Sequence, residues 1–384
     1  MRQVAVVGVG MTRFGKFPET PVESFGRQAV WEALADAGLS AKDVEVAYLG
    51  NLTERRETGH MTCVAQQILR GVGITGIPIT RVENACASGS TAFREAWMAV
   101  ASGFYDIALA VGVEKLNGQG AAPLGRIGDT IEGIAGLAPP GVWAMRAQRH
   151  MREYGTTLEQ LAMVAVKNRR NAKLNPRAAL QSKEITIEDV RNSPLICAPL
   201  TLYDSCPTTD GGAAAILCSE EIARKLNVTP VFVAAAALTS GTYERHRDIA
   251  ANELESRAAK AAFEQAGIGP ADLDFAEVHD CFTIAEIVRV ENLGLCPPGE
   301  GGRWVESGET QLGGRFPINP SGGLLSKGHP VGATGVAQVA ELVWQLRGQA
   351  GARQIHGAKA ALAHCSGGFI GDDTGASAVI ILKR

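Results

Sequence analysis

The sequence lacks several features that would each indicate a particular class of protein. No apolar run reaches the roughly 18 residues that a membrane-spanning helix needs, and glycines interrupt the short apolar stretch at residues 4–10, which does not fit a signal peptide. The eight cysteines are scattered and form no CxxC pair. The formal net charge is only -3, which argues against nucleic acid as a main partner. We therefore expect a cytoplasmic protein with reduced thiols, no metal site, and no nucleic-acid or membrane partner.

Aromatic residues are scarce as well, whereas glycine is abundant. Only 5% of the 384 residues are Phe, Trp or Tyr, but 45 are glycine. Such a number of glycines indicates several places where the backbone turns tightly or approaches another segment closely. Otherwise the composition, with 46% hydrophobic and 20% charged residues, is that of a globular protein, and the length permits two or three domains.

An internal repeat organises the chain. ALADAGLSAKDVEVAYLGN at 33–51 resembles AFEQAGIGPADLDFAEVHD at 262–280, 229 positions later. Each stretch reads as a helix end, an Ala-Gly stop, an Asp-containing turn and a strand. A nearly equal offset aligns VAVVGVG at 4–10 with FVAAAAL at 232–238. The stretches DGGAAAIL, from Asp210, and DTGASAVIIL, from Asp373, also resemble each other, since both follow the pattern of a turn before a buried strand. We therefore predict two related α/β halves, residues 1–225 and 228–384.

Strands and helices alternate along the first half. The pattern predicts strands at 4–10, 44–50 and 106–114 and helices at 24–37 and 89–102, which indicates helices packed on a mostly parallel sheet. An insertion at about 115–200 has a different, basic and helical composition. Its cations either form a solvated helix face or belong to a cap that meets a phosphate-bearing substrate, with Arg169 and Arg170 as candidate ligands.

One cysteine stands out for its surroundings. In ENACASGSTAF, residues 83–93, Cys86 is followed by small residues and then by a helical pattern. Unpaired N–H groups and the positive end of a helix dipole favour a thiolate, and small neighbours leave the sulfur accessible. The alternative is a buried structural cysteine.

A histidine lies at the corresponding place in the second half. His329 is framed by glycines and a proline in SGGLLSKGHPVGATG, residues 321–335, just before the helical pattern VAQVAELVWQL. By the repeat, this helix start corresponds to the one after Cys86, and equivalent helix starts in two related halves can converge on one cleft. His329 is therefore a candidate general base for Cys86, although a lone histidine is often structural.

Two further segments carry polar residues at strand ends. EVHDCFT at 277–283 contains His279 and Cys281 and follows a predicted strand, at the end where open α/β sheets build sites. LAHCSGGFIGDD at 362–373 contains Cys365 before the last strand, together with Gly367, whose N–H can be exposed.

These motifs together resemble the thiolase superfamily over nearly the whole chain. ACAS, HDCF, GHP and CSG occur in the family's order, and HDCF, with LYDSCPTTDGGAAAIL and NPSGGLLSKGHPVGATG, is similar to the sterol-carrier-protein-type and archaeal-type branch, which is acetyl-CoA acetyltransferase-like. The resemblance implies a thiolase fold, in which two duplicated βαβαβαββ halves form a five-layer αβαβα sandwich with an inserted loop domain.

The resemblance also implies ping-pong acyl transfer with coenzyme A thioesters. Cys86 would attack a 3-oxoacyl-CoA, His329 would take its proton, and His279 with His329 would stabilise the enolate oxygen. The backbone N–H groups of Cys86 and Gly367 would bind the acyl oxygen. Two residues match a second acid/base: Cys365 corresponds to the second cysteine of the common thiolases and is favoured, and Cys281 is the cysteine of HDCF.

Alternatives and partners follow from the same resemblance. One alternative is a ketosynthase-like condensing enzyme, and another is a partner-dependent subunit in a complex with a small zinc-ribbon and OB-fold protein. Coenzyme A is expected as a substrate, with no permanently bound cofactor, and the chain is expected to form a homodimer or a larger assembly. The sequence leaves open the acyl group and the physiological direction of the reaction.

Overall fold

The computed structural model describes residues 1–52, 62–118, 131–182, 184–243, 248–251, 253–370 and 373–384. Residues 119–130 and 183 of the predicted insertion, and residues 371–372 of the last motif, lie outside this description. The strands are β1 (Val4–Met11), β2 (Val46–Gly50), β3 (Ile79–Val82), β4 (Ile107–Glu114), β5 (Leu195–Cys197), β6 (Leu200–Thr201), β7 (Gly211–Ser219), β8 (Val231–Ser240), β9 (Phe275–Glu277), β10 (Ala360–Ile370) and β11 (Asp373–Lys383).

The helices separate these strands and differ widely in length. They are α1 (Val22–Ala37), α2 (Val64–Arg70), α3 (Ser88–Ala101), α4 (Ile131–Ile134), α5 (Pro139–Tyr154), α6 (Leu158–Lys173), α7 (Ile187–Arg191), α8 (Glu220–Ala223), α9 (Glu253–Ala266), α10 (Thr283–Asn292), α11 (Gly301–Glu306) and α12 (Thr334–Arg347). A short π-helical turn covers Gly323–Lys327. Among the described residues, no helix is both long enough and apolar enough to cross a membrane.

The strand order shows the repeat in three dimensions. Nine strands are hydrogen-bonded in the order β3-β2-β4-β7-β1-β8-β11-β10-β9. The first five and the last four follow the same internal order, because β9, β10, β11 and β8 correspond to β2, β4, β7 and β1. Within the described part of the sheet, the two parts are joined along β1 and β8, through two residue pairs, Ala5 with Phe232 and Val6 with Val231.

The sheet is less parallel between neighbours than the sequence suggested. β2 is parallel to β3 and β4, and β9 is parallel to β10, but the remaining neighbouring pairs of the large sheet are antiparallel. The reason is that β7 and β11, the last strands of the two parts, run against the other strands of their own part and lie inside the order, and that β1 and β8 meet antiparallel where the parts join. The prediction of a mostly parallel sheet therefore holds for strand direction within each part and is wrong for most neighbouring pairs.

The predicted five layers are present. Val4 and Val6 of β1 face a central core that contains residues of α3 and α12, whereas Ala5 and Val7 face an outer core with α1 and α2. The second part is covered on its outer face by residues of α9. Alternate residues of each strand thus enter different cores, as the side-chain period of a strand requires.

The repeated turn has a simple cause. α1 ends at Gly38 with φ 65°, and Gly267, 229 positions later, follows α9 with φ 63°. Glycine adopts this left-handed conformation without the cost of a Cβ, so it ends both helices at equivalent places. The proposed boundary near residues 225–228 falls between α8 and β8.

The basic helix of the insertion is only partly a solvated face, because Arg170 and Lys173 are exposed but Lys167 and Arg169 are not. Lys167 of α6 is buried and lies 2.9 Å from Glu286, and Arg169 is buried with its Nε donating to Ser326 Oγ over 3.2 Å. The solvated interpretation is therefore wrong for these two cations, because α6 packs under the loops of the second half.

Candidate active site

The starts of the two central helices touch each other. A Cβ on Gly89, in the first turn of α3, would lie 2.6 Å from the Gly332 carbonyl oxygen and 3.1 Å from the Val336 nitrogen. A Cβ on Gly335, in the first turn of α12, would collide with Ser90. Glycine at both places lets the backbones approach this closely. The prediction that the two equivalent helix starts converge is thus confirmed.

This convergence brings Cys86 and His329 together across 243 positions of sequence. Cys86 Sγ and His329 Nε2 are 3.2 Å apart. The Thr334 hydroxyl donates to the Pro330 carbonyl oxygen over 3.0 Å, so it accepts from His329 Nδ1, which is 2.7 Å away. The network therefore assigns the proton of the neutral ring to Nδ1 and leaves the Nε2 lone pair facing the thiol.

The loop that carries His329 is anchored to the first half. The His329 N–H donates to Thr209 Oγ1 over 2.8 Å, and the Gly332 N–H donates to Glu114 Oε2 over 3.0 Å. Glu114 is fully buried and also accepts from Asn51 and Leu52. Sequence reasoning missed these anchors, although a carboxylate at the end of the buried strand β4 was a usable signal.

His279 lies beside His329 with the opposite arrangement. The two ring centroids are 5.1 Å apart. The Ser366 N–H donates to His279 Nδ1 over 3.0 Å, so the neutral ring carries its proton on Nε2. Nε2 is buried and has no hydrogen-bond partner among the residues that the structure describes. A donor without a partner is costly to bury, so this N–H is a strong candidate for binding an oxygen of a ligand.

Both candidates for a second acid/base lie near this pair. Cys365 Sγ is 3.0 Å from the Cys86 carbonyl oxygen and 3.8 Å from His279 Nδ1. Cys281 lies two residues after His279, and the Arg289 guanidinium opposes the effect of burial on the pKa of its thiol. Gly367 follows in β10, where a Cβ would lie 2.6 Å from the Ala87 nitrogen, so only glycine fits against the Cys86 turn.

Burial controls the protonation of the Cys86–His329 pair. Cys86 is half-buried as a residue, but protein atoms surround its sulfur, and this burial, followed by the neighbouring Cys365 and Cys281, raises the pKa of the thiol well above its ordinary value. Burial also lowers the pKa of His329 to about 3, with smaller contributions from Arg289 and Lys327. The resting pair is therefore a thiol and a neutral imidazole. Burial thus opposes the thiolate that the helix N-terminus favours.

Burial also favours the neutral forms of His279, Cys281 and Cys365. Burial, then Arg289, lowers the pKa of His279 well below its ordinary value. Burial raises the pKa of Cys281 to about 11 and that of Cys365 to about 12, and Arg289 opposes burial at both sulfurs.

The remaining predicted ligands are Arg169 and Arg170. Arg169 lies on Ser326, with its guanidinium 5.8 Å above the Tyr203 ring, and Arg170 is exposed on α6. Their contact with coenzyme A stays a prediction. Among the described residues, Cys86, His279 and His329 are the one set of three potential metal ligands whose atoms lie within 4.8 Å of one another. The expectation of no resident metal also stays a prediction.

The sequence also matches the models of a known protein family. The model of the thiolase N-terminal domain matches residues 4–221, and the thiolase C-terminal domain-like model matches residues 235–384. The chain therefore belongs to the thiolase family, and it is an acyltransferase.

Individual relatives narrow the branch. The chain is 46% identical to an acetyl-CoA acetyltransferase of Methanothermobacter thermautotrophicus, with 100% of both chains covered. It is 41% identical to the benzoylsuccinyl-CoA thiolase subunit BbsB of Thauera aromatica, covering 96% of this chain and 95% of that one. It is 40% identical to sterol carrier protein 2 of Bos taurus, covering 94% of this chain and 69% of that protein. The predicted branch is thus confirmed.

Solved structures agree on the fold. The Ltp2-ChsH2(DUF35) aldolase superposes with a TM-score of 0.83 at 28% identity, over 98% of this chain and 97% of that one. Human mitochondrial 3-ketoacyl-CoA thiolase superposes with a TM-score of 0.76 at 19% identity, over 100% of this chain and 99% of that one.

Proposed function

We propose that the chain catalyses coenzyme A-dependent cleavage of a 3-oxoacyl-CoA, or the reverse Claisen condensation, through an acyl group on Cys86. The observation that carries the proposal is the 3.2 Å contact between Cys86 Sγ and His329 Nε2, with the His329 tautomer held by Thr334. A nucleophile within hydrogen-bond reach of a base that a third group orients is the arrangement that covalent catalysis needs.

In the first half-reaction, the Cys86 sulfur attacks the 3-oxo carbon while His329 Nε2 takes the thiol proton. Because the resting pair is neutral, this proton moves as the bond forms. The bond between carbons 2 and 3 then breaks, which leaves an acyl thioester on Cys86 and the enolate of the shortened acyl-CoA. A thiolate suits both steps, since it is a good nucleophile and a good leaving group.

Fixed donors would stabilise the two oxygens that gain charge. The unpartnered His279 Nε2–H and the protonated His329 Nε2 are our candidates for the enolate oxygen. The backbone N–H groups of Cys86 and Gly367 are our candidates for the acyl oxygen. Removing one donor of this kind typically costs about 2.7–4 kcal/mol of transition-state stabilisation.

In the second half-reaction, free coenzyme A takes the acyl group from Cys86. Coenzyme A is thus proposed as a substrate and not as a resident cofactor. The cations of the insertion, Arg169 and Arg170, are the proposed contacts for its phosphates. We also propose that the chain forms a homodimer and is cytoplasmic. We further propose that it acts in lipid or aromatic acid degradation, and the names of two relatives, a sterol carrier protein and a benzoylsuccinyl-CoA thiolase subunit, support this last point.

Mass spectrometry of the intact protein tests the proposal. Wild type, Cys86→Ala and the control Cys63→Ser, which changes an exposed cysteine, are incubated with acetyl-CoA, acetoacetyl-CoA and longer or aromatic 3-oxoacyl-CoAs. We expect an acyl mass increase in wild type and Cys63→Ser that is absent in Cys86→Ala. The panel member that labels most heavily indicates the acyl group. Absence of any adduct in wild type would contradict action by the chain alone.

A second candidate is a thiolase that needs a partner subunit. Two matches favour it, because one relative is called a subunit and the similar structure is a complex with a DUF35 protein. A small zinc-ribbon and OB-fold protein should then co-purify from the native source, and adding it should restore labelling of Cys86. If labelling is as fast without it, this candidate fails.

A ketosynthase-like condensation is the third candidate. One cysteine with two histidines would also suit this reaction. It predicts release of CO2 from malonyl-CoA during condensation, whereas a thiolase condenses two acetyl units without decarboxylation. Measuring 14CO2 from labelled malonyl-CoA separates the two.

A further inference from the structure

Three asparagines of the insertion are buried at helical spacing, and the proposed mechanism does not use them. Asn168 and Asn171 lie on α6, and Asn175 lies two residues beyond its end. Residues three and four positions apart share one face of a helix, so we call these three residues the asparagine seam. A buried amide is costly unless it is hydrogen-bonded. The partners of the seam therefore indicate what it is for.

Two members of the seam hold only backbone. Asn171 Nδ2 donates to the Asn319 carbonyl oxygen over 3.0 Å, and Asn175 Nδ2 donates to the Ser321 carbonyl oxygen over 2.9 Å. Both acceptors belong to the segment that leads into the π-helical turn Gly323–Lys327. These two amides dock the insertion onto the second half.

Asn168 differs because its partners are two buried carboxylates. Its Nδ2 lies 2.7 Å from Asp280 Oδ2 and 2.9 Å from Glu286 Oε2. A primary amide has two N–H groups, so it can donate to both. Lys167 Nζ is the neighbouring cation, 2.9 Å from Glu286 Oε1 and 2.8 Å from Asn168 Oδ1. Asn168 thus binds the residue that directly follows His279.

Asp280 also contacts the loop that leads to His329. Asp280 Oδ1 accepts from the Leu324 N–H over 2.7 Å, and Oδ2 accepts from the Leu325 N–H over 3.3 Å. Both N–H groups belong to the π-helical turn, which ends two residues before His329. A Cβ on Gly323 would collide with the Asp280 carboxylate, so the turn lies directly on it. One carboxylate therefore joins the segments that carry the two histidines.

An amide suits position 168 better than other side chains of similar size. Asp280 and Glu286 are both buried beside it. A carboxylate at this position would add a third negative charge, and an apolar side chain would remove a donor from each of the two carboxylates. Both changes are costly in a buried place.

We propose that Asn168 is a positioning residue for the reaction, which fixes the Asp280 carboxylate and thereby the relative placement of the His279 and His329 rings. The inference rests on the proposed thiolase function. Asn168 acts through Asp280 and immediately precedes Arg169, a candidate contact for coenzyme A. The insertion therefore contributes to the catalytic geometry as well as to the cap.

Rates per active site separate positioning from folding. Rapid-quench mass spectrometry with acetyl-CoA gives the amplitude of Cys86 acylation, which counts intact sites, and its rate, which reports their geometry. We expect Asn168→Ala to lower this rate per site, and kcat with acetoacetyl-CoA, by roughly 10–100-fold with KM nearly unchanged, because small displacements of catalytic groups have effects of this size. A purely structural role would lower the amplitude and leave the rate per site unchanged.

Asn171→Ala is the matched control, because it removes a buried amide of the same seam that holds only backbone. It should keep the wild-type rate per site, even where it lowers the amplitude. Equal rates per site in Asn168→Ala and Asn171→Ala would overturn the proposal.

A donor–acceptor exchange keeps the test decisive if Asn168→Ala does not fold. Asp280→Asn alone places two amides against each other and should be slow. Combining it with Asn168→Asp restores one amide–carboxylate pair and the total charge, so the double variant should recover most of the lost rate. A double variant no faster than Asp280→Asn would contradict the assigned link.

Histidine NMR tests the geometry without turnover. The chain has seven histidines, so 15N-labelled imidazoles give few signals, and His279→Gln and His329→Gln assign two of them. We expect Asn168→Ala to shift or broaden the signals of both rings, and Asn171→Ala to leave them as in wild type. Unchanged signals in Asn168→Ala would contradict the proposal. If wild type forms no acyl adduct, the proposed function fails, whereas these spectra still decide the role of Asn168.

Discussion

His329 and His279 are the same side chain in almost the same surroundings, yet Nε2 is a lone pair in His329 and an N–H in His279. Both are buried, their rings are 5.1 Å apart, and burial lowers the pKa of each. His329 meets a hydroxyl that accepts, so it presents a lone pair to Cys86. His279 meets a backbone N–H that donates, so it presents an N–H. The difference teaches that one hydrogen bond at Nδ1 decides whether Nε2 of an imidazole acts as a base or as a hydrogen-bond donor.

The largest expected effect comes from removing the candidate base, His329. We expect His329→Ala to lower the rate of Cys86 acylation by roughly 10²–10⁴, since positioned proton transfer contributes that much. Rapid-quench mass spectrometry with acetyl-CoA measures the rate. Acylation within a factor of two of wild type would show that Cys86 does not depend on this ring.

Removing the donor should act on the other half of the chemistry. His279→Ala should lower condensation of acetyl-CoA by roughly 10²–10³, as for an oxyanion donor, while acylation of Cys86 by the same thioester continues. His279→Asn, which retains an N–H, serves as the matched variant and should recover part of the rate. Loss of both steps in His279→Ala would mean that the two rings do not have separate roles.

The hydrogen bond that fixes the His329 tautomer can be removed without changing the ring itself. Thr334→Val removes the hydroxyl that accepts from Nδ1, and we expect kcat to fall up to about 100-fold because the base is no longer held in place. Thr334→Ser restores the hydroxyl and should restore most of the activity. Equal activity of the Val and Ser variants would contradict the assigned network.

The smallest expected effect concerns stability in acid. Burial lowers the pKa of His329 and of His364 to about 3, whereas each titrates near 6.5 in the unfolded chain. The unfolded state then binds more protons, so the stability that these groups contribute is complete above pH 6.5 and is lost as the pH falls toward 3. Each histidine adds a slope of up to about 1.4 kcal/mol per pH unit.

Urea unfolding at several pH values checks this effect. His364→Gln, a residue outside the proposed chemistry, should flatten the acid slope by about one proton, and His329→Gln should do the same. An unchanged slope in both would mean that the two rings already accept protons in the folded state.

Much of the fold and the central pair of the site were predictable from sequence. The repeat located equivalent helix starts, and the glycines that flank them indicated the close approach that joins Cys86 to His329. The direction of β7 and β11 could not be predicted, because a reversed strand with both faces buried has the same apolar composition as its neighbours. Thr334, Ser366 and Arg289 could not be assigned either, since no local pattern shows which buried polar groups meet across long separations.

The contact between the starts of α3 and α12 has a consequence for the chain during its synthesis on the ribosome. Cys86 is translated long before His329, so the thiol has no base until most of the protein has been synthesised and both halves have docked. A nascent or truncated chain would therefore carry a cysteine without this neighbouring ring. Under the proposed function, rapid acylation of Cys86 is expected only from completed chains, so it can serve as an assay for them.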